Sequence, residues 1–379
     1  MKKILYITSE SFPYGKAYAS RTRAIVKAMV LANYEVTILC DQKNEKETLG
    51  GYTVEQAFKK QYKGLIKRCV VPSLYARRLD TMLYREHYDL VISRSMYDRY
   101  REIRKVVRKH GIPFVLESCE CYNVKSFKRG RFDYRYRQFL RLWDKTRFDV
   151  DGVIAISRYI EQYYNKYCPV IRVPGILDID YLSVHEPTWK KPIKLIYSGD
   201  ISGGKEVLET IIQAVGQFPG EFVFDIYGPT KEQVIDTCTM ISSQGYIGEN
   251  VFVHGRVPQE SLYGLIAESD IGIFIRPNRV SSEAGFPTKL GEYMASGLPV
   301  ITNQTGDIPL ILKNRFNGFL LQNGTTEEII ETLNSIKEMT DEELDQMSKN
   351  AINTVREDLV PASVSDDLHN FIDRIIGII

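Results

Sequence analysis

Short apolar runs alternate along this chain with longer segments whose apolar residues recur every three to four positions. Ile4–Thr8, Tyr34–Cys40, Asp89–Ser93, Pro113–Leu116, Gly152–Ile156 and Val170–Pro174 form one series of runs. Leu195–Ser198, Phe222–Tyr227, Val251–His254, Ile271–Ile275 and the run opening at Val300-Ile301 form a second. Runs this short and this apolar have the composition of strands covered on both faces, as in parallel sheets. Amphipathic spacing between them predicts helices at Arg21–Ala32, with Ile25, Met29 and Val30 along one side, and at Tyr97–His110, Val207–Val215, Lys231–Ser243 and Leu262–Ala267. Further helices are expected at Pro287–Ser296, 325–337 and 341–357. Ser20 and Ser157 stand where N-caps belong. Alternating β and α segments predict an α/β fold with parallel sheets.

The pattern breaks twice. Residues 42–70 are polar and basic and read as an irregular excursion or a short hairpin. Residues 183–192 carry neither period and read as a linker. This divides the chain into a first domain at 1–184 and a second at 193–360, each long enough to bury its own core. Residues 361–379 then form an amphipathic helix with Leu368, Phe371, Ile372, Ile375 and Ile376 apolar.

The net charge of +2 conceals an asymmetry. Through Val150 the chain carries about 32 Lys/Arg against about 16 Asp/Glu, so the remainder is acidic. A basic first half points to a polyanionic neighbour: an anionic membrane surface, a phosphorylated lipid or nucleic acid. Residues 125–148 interleave Lys and Arg with Phe, Tyr, Leu and Trp143. That pattern suits a helix lying on a membrane, a nucleic-acid face, or a solvated basic helix packed by its aromatic side. The six cysteines lack zinc spacing and read as reduced thiols. The apolar run after Met1-Lys2-Lys3 is too short for a signal peptide, and no run approaches a membrane span, so a cytoplasmic chain is expected.

The chemistry concentrates in Ser281 to Thr302. Polar and glycine residues through Gly285 lead to Pro287, which suits the first turn of a helix, and Gly297 and Pro299 end that helix. Such a loop presents free backbone N–H groups at the carboxyl end of a parallel sheet, an anion site to which Lys289 adds a cation. Glu292 shares a face with Lys289 one turn on. A phosphate at the helix start beside a carboxylate for hydroxyls describes a nucleotide-sugar site. The same residues also fit an ordinary α/β helix carrying a solvated ion pair. The loop after the first strand holds Pro13 and Gly15 but no Gly-x-Gly-x-x-Gly, which argues against nicotinamide or flavin.

With Tyr197-Ser-Gly199, Lys205, Gly255, Asp151-Gly-Val-Ile-Ala-Ile-Ser157 and Val173-Pro-Gly with Asp178, the stretch Phe286-Pro-Thr-Lys-Leu-Gly-Glu-Tyr-Met-Ala-Ser-Gly-Leu-Pro-Val-Ile301 resembles the donor site of the GT-B retaining glycosyltransferases of family 4, the glycosyl transferases group 1. The resemblance implies two Rossmann-like domains with parallel sheets facing across a cleft, the C-terminal helix crossing back to the first domain. It also implies that Glu292 binds the ribose hydroxyls and that the backbone amides around Phe286–Thr288, in a turn formed with Gly285 and Pro287, hold the diphosphate or sugar. Lys205 would neutralise the diphosphate, and Gly199 and Gly255 would admit the donor to the backbone. Glu283 lies one residue out of the family's register, with Ala284 in the expected place. Asp200 stands where an arginine is usual, so Arg276 is the candidate for that charge. On the acceptor side the matching positions are Gly15, Cys119, in place of the family's histidine, and Glu120. Asp178-Ile-Asp180 is not read as a metal site, because GT-B sites use positive side chains and helix ends in place of Mg²⁺.

The expected reaction moves a sugar from a UDP or GDP sugar to an acceptor hydroxyl with retention, without cofactor or metal. Lys205, Arg276, Lys289 and the helix start would stabilise the departing diphosphate, and Glu292, Lys205 and Arg276 are the catalytic candidates. The expected partners are a sugar nucleotide, a glycan or polyprenyl-diphosphate-linked acceptor from surface-polysaccharide assembly and an anionic membrane at its cytoplasmic face. Nucleic acid is not among them. Two rivals remain: a GT-B-fold nucleotide-sugar 2-epimerase, which needs no acceptor, and a nucleic-acid-binding protein using the basic half.

Overall fold

The computed structural model describes residues 1–9, 11–13, 17–43, 51–58, 62, 64–94, 99–127, 129–185, 188–201, 204, 206–238 and 245–377. The chain divides into two compact units, Met1–Asp178 with Val360–Ile379 and Ile179–Leu359.

The first unit is strand-rich: β1 (Lys3–Ile7), β2 (Ser11–Phe12), β3 (Glu35–Cys40), β4 (Gln42–Lys43), β5 (Tyr52–Gln56), β6 (Leu90–Arg94), β7 (Phe114–Ser118), β8 (Gly152–Ala155) and β9 (Val170–Arg172). Seven of these form one parallel sheet in the order β5-β3-β1-β6-β7-β8-β9, and β2 pairs with β4 apart from it. The register runs Ile4 to Val36 on one side of β1 and Ile4 to Leu90 on the other. The direction of strand succession therefore reverses between β1 and β6. The covering helices are α1 (Ala17–Leu31), α2 (Gly64–Arg85), α3 (Tyr100–Lys109), α4 (Tyr134–Thr146) and α5 (Arg158–Tyr164), the last capped by Ser157, which accepts from the Ile160 amide.

The sequence pattern misplaces two stretches here. Helix α1 starts at Ala17, so Ser20 lies inside it and does not cap it. The expected excursion at 42–70 contains β5 and the start of α2. As an edge strand, β5 alternates, with Tyr52 and Val54 buried and Thr53 exposed, and so lacks a continuous apolar run. Helix α2 holds Pro72 in its interior, a residue that ordinarily signals a helix end.

The second unit contains β10 (Ile193–Ser198), β11 (Phe222–Tyr227), β12 (Val251–Gly255), β13 (Ile271–Ile273), β14 (Val300–Asn303) and β15 (Gly318–Leu321). They form one parallel sheet in the order β12-β11-β10-β13-β14-β15. Its helices are α6 (Glu209–Val215), α7 (Lys231–Thr237), α8 (Gln259–Ala267), α9 (Val280–Ala284), α10 (Thr288–Ala295), α11 (Ile308–Ile311), α12 (Thr326–Glu338) and α13 (Asp341–Asp358). The succession reverses again, between β10 and β13. Ligands of open α/β sheets bind outside the carboxyl ends of strands at such a reversal.

The last helix, α14 (Ser365–Gly377), belongs to the first unit. Its Leu368, Phe371, Ile372 and Ile375 join the core formed by Ile4, Ile25, Met29 and Ile154. Gly152 leaves the room: a Cβ there would lie 2.8 Å from the Phe371 ring and 2.9 Å from Ile375. The Tyr34 hydroxyl donates to the Asp373 carboxylate and, at 3.3 Å, to the His369 carbonyl. Truncation of this anchor, Phe371→Ala, should lower stability by about 3–5 kcal/mol through lost burial and a cavity. Urea unfolding of the full chain measures it, and a loss below about 1 kcal/mol would mean that the helix is not part of the core.

Candidate functional site

The reversal in the second sheet is filled by one polar cluster. Tyr197 on β10 and Phe274 just beyond β13 are fully buried. Lys289, near the start of α10, runs beneath the end of β10. Its Nζ lies 2.5 Å from Glu206 Oε2, 4.1 Å from the centroid of the Tyr197 ring and 5.6 Å from that of Phe274. The Tyr197 hydroxyl donates to the same carboxylate oxygen. The Ser198 amide donates to the Tyr293 hydroxyl at 2.7 Å, fixing α10 to the end of β10. Burial lowers the Lys289 pKa, and Glu206 opposes that by holding the cation. Burial likewise raises the Tyr197 pKa far above its ordinary value, with the Glu206 charge adding to it.

Glu292 sits one turn along α10. Part of its surface faces solvent, yet the protein around it is dense enough that desolvation raises its pKa, against the pull of Lys289. Among the described residues its carboxylate has no hydrogen-bond or ion-pair partner. A carboxylate of that kind is available to ligand hydroxyls. The start of α10 is similarly open: Pro287 is the N-cap, no side chain caps the helix, and Phe286 before it is buried while Thr288 is half-buried.

Backbone contacts draw the glycine positions together. The Gly199 amide donates to the Tyr227 carbonyl at 3.0 Å, and the Gly228 amide donates to the Gly255 carbonyl at 2.7 Å. Gly228 has φ +117°, and a Cβ there would lie 2.0 Å from the Gly199 carbonyl oxygen, so only glycine fits. A Cβ on Gly199 would lie 2.7 Å from Lys289 Nζ. Gly199, Gly228 and Gly255 thus tie the strand ends of β10, β11 and β12 to one another, with Lys289 against Gly199.

The stretch expected to be loop holds the short helix α9, and Arg276 and Glu283 are tied into it. Arg276 Nη1 donates to the Ser282 carbonyl at 2.9 Å and the Gly285 carbonyl at 3.3 Å, and its amide donates to Asn303 at 2.9 Å. Burial lowers the Arg276 pKa, with Glu206 and Glu283 opposing. Glu283 accepts from the Gly306 amide at 3.1 Å. Both side chains thus brace the approach to α10. Lys205 lies outside the described residues. Its neighbour Glu206 was overlooked in the sequence because an acidic residue after a glycine-rich loop has no periodic signal.

In the first unit Gly15 also lies outside the described residues. Cys119 is buried and its thiol donates to Glu117 at 3.4 Å; burial and then the Glu117 charge push it up to about 11. Glu120 accepts from the Tyr18 and Tyr122 hydroxyls. The residue that gathers this end is Glu117, fully buried on β7, with Arg21 Nε at 2.7 Å and the Tyr6 hydroxyl as donors. Desolvation alone would raise the Glu117 pKa, but Arg21 and Arg94 outweigh it and the carboxyl is held below its ordinary value. The signal for Glu117 was a charged residue continuing an apolar strand. Asp178 takes Lys27 Nζ at 2.8 Å. The 125–148 segment divides: Phe139 and Trp143 pack inward, while Phe132, Phe148 and Tyr134 stand outward among exposed Arg131, Arg137 and Arg141.

Residues 184–354 match the family model for glycosyl transferases group 1. No curated protein matches the chain by sequence. Among solved structures, the sucrose-phosphate synthase of Thermosynechococcus elongatus is similar over 100% of both chains, with a TM-score of 0.75 and 14% identity. HepE of Anabaena, solved in complex with UDP-glucose, is similar over 100% of both chains, at 0.69 and 14%. The lipopolysaccharide outer core galactosyltransferase WaaB, in its apo form, covers 98% of this chain and 99% of its own, at 0.64 and 17%. The fold is therefore GT-B, two parallel-sheet α/β units.

The Lys289–Glu206 contact makes a stability prediction. Glu206→Ala strands a buried ammonium and should cost about 3–5 kcal/mol, and adding Lys289→Met should recover most of it. A double-mutant cycle by urea unfolding measures this. Equal stability of Glu206→Ala and wild type would show that Lys289 turns out to solvent.

Proposed function

We propose that this chain, GT-B in fold and matching the glycosyl transferases group 1 family over residues 184–354, is a retaining glycosyltransferase acting on a nucleotide-diphosphate sugar. The observation that carries the reading is the partnerless, desolvated carboxylate of Glu292 beside a buried lysine at an uncapped helix start. A sugar nucleotide offers both halves of the match: hydroxyls for Glu292 and a diphosphate for Lys289 and the α10 amides. On binding, Lys289 exchanges the Glu206 carboxylate for a phosphate oxygen, one anion for another, so the buried cation keeps a counter-charge throughout. Lys205 adds a second cation. Arg276 contributes positive potential from its place in the loop.

In the reaction the bond from the anomeric carbon to the diphosphate oxygen breaks, and a bond to the acceptor hydroxyl forms on the same face. The acceptor proton passes to the departing diphosphate. Positive groups fixed before the reaction stabilise the developing charge without reorganising. UDP is the favoured nucleotide, supported by the UDP-glucose bound to HepE. The acceptor is a glycan on a lipid diphosphate, which the first unit takes up at a cytoplasmic membrane face. The exposed Phe132, Tyr134, Leu140 and Phe148 among arginines support contact with an anionic bilayer. No helix among the described residues is long and apolar enough to cross a membrane.

A thermal-shift screen of UDP and GDP sugars should raise the melting temperature with one of them, because that ligand binds the native state alone. Glu292→Ala should then abolish the shift with the intact sugar nucleotide and lower kcat by about 100-fold or more. Unchanged transfer by the variant would sink the assignment. Separately, the chain should float with vesicles rich in anionic lipid at low salt and release at high salt, and Phe132→Ser with Phe148→Ser should weaken flotation. Absence of flotation at low salt would refute the membrane contact.

A further inference from the structure

The reversal point of the first sheet, between β1 and β6, holds a guanidinium with no hydrogen-bond or ion-pair partner among the described residues. Arg94 ends β6 and is 7% exposed. Its Nη1 is buried and has no hydrogen-bond partner, and no carboxylate among the described residues forms an ion pair with it. Its guanidinium carbon lies 3.5 Å from the centroid of the Tyr18 ring, which covers it from α1. The buried carboxylate closest in charge, Glu117, is engaged by Arg21, whose other N–H groups donate to the Pro174 carbonyl and, at 2.9 Å, to the Val173 carbonyl. Two buried guanidinia thus act on one carboxylate, and of the two only Arg21 bonds to it. Leaving a buried charged donor unmatched is costly, and a bound anion removes that cost. Arginine's planar fork suits the oxygens of a phosphate or carboxylate. The position is also where open α/β sheets bind ligands.

We infer that the first unit contains an anion site separate from the donor site, in which Arg94 binds an anionic group of the acceptor, a phosphate or a sugar carboxylate. The inference rests on the glycosyltransferase reading and names the acceptor's chemistry. Tyr18 is the cover. Its hydroxyl donates to Glu120, which also accepts from Tyr122, and the ring swings aside when the anion arrives. The Arg94 side chain then exchanges an aromatic face for charged oxygens.

Hydrogen exchange of the full chain, with inorganic pyrophosphate in one arm and glucuronate in the other, tests it. Peptides covering Ala17–Arg21 and Leu90–Arg94 report on this site, and peptides covering Thr288–Ala295 report on the donor site in the same sample. At least one anion should slow exchange in the first pair. Arg94→Gln should weaken that protection at least tenfold in apparent Kd while leaving any protection at 288–295 intact. Protection by pyrophosphate alone assigns the phosphate, and by glucuronate alone the carboxylate. Arg94→Lys, which keeps the charge, should bind at intermediate affinity and decides the matter if Arg94→Gln does not fold. No protection of the first pair in the wild type overturns the site, as does protection that survives Arg94→Gln. Sugar transfer is read on the same preparation. Transfer without protection sinks only the anion site, whereas protection without transfer sinks the glycosyltransferase reading.

Discussion

An ammonium buried at the head of a parallel sheet needs a counter-charge, and Lys289 finds one in Glu206 at 2.5 Å. Much of the second unit's strand-end architecture follows from that requirement. Tyr197 places its ring under the cation and its hydroxyl on the same carboxylate. Gly199 leaves room for the lysine head, which would lie 2.7 Å from a Cβ at that position. Tyr293 fixes the helix that carries Lys289 to the strand it serves. The pair is also the part of the site that a diphosphate can replace in kind, so the contact that stabilises the cation marks the place where a ligand would enter.

The first unit meets the same constraint with a different outcome. Arg21 and Glu117 form its buried pair, satisfied on both sides, at the carboxyl ends of β1 and β7. Arg94 is the remainder, stacked on Tyr18 instead of paired. The two sheets reverse their strand succession at comparable points, β1/β6 and β10/β13, and each gathers its buried charges there. A parallel sheet leaves few other places for them, because its faces are covered by helices and only the strand ends open to ligand. The tail helix belongs to the same logic of coverage. It fills a groove in the first unit that Gly152 keeps open.

The repeating apolar runs marked most strands of both main sheets, since a strand buried on both faces needs a continuous apolar run, whereas the short β2, β4 and β15 were not read as strands. Edge strand β5 and helix α2 escaped, one because it is buried on a single face, the other because Pro72 sits inside it. The turn at Gly285–Lys289 and the helix carrying Glu292 were also legible, because proline, glycine and helix-start chemistry act over a few neighbouring residues. What tertiary structure alone decided is which charges meet. Glu206 with Lys289 spans 83 residues, Arg21 with Glu117 spans 96, and Glu283 turns to Gly306. Arg276, expected at a ligand, is held by carbonyls of its own loop. Local sequence sets backbone conformation through short-range sterics and hydrogen bonds. Partner choice among buried charges depends on which strand ends the sheet order brings side by side and how much water is left between them, and neither quantity exists until the sheet has formed.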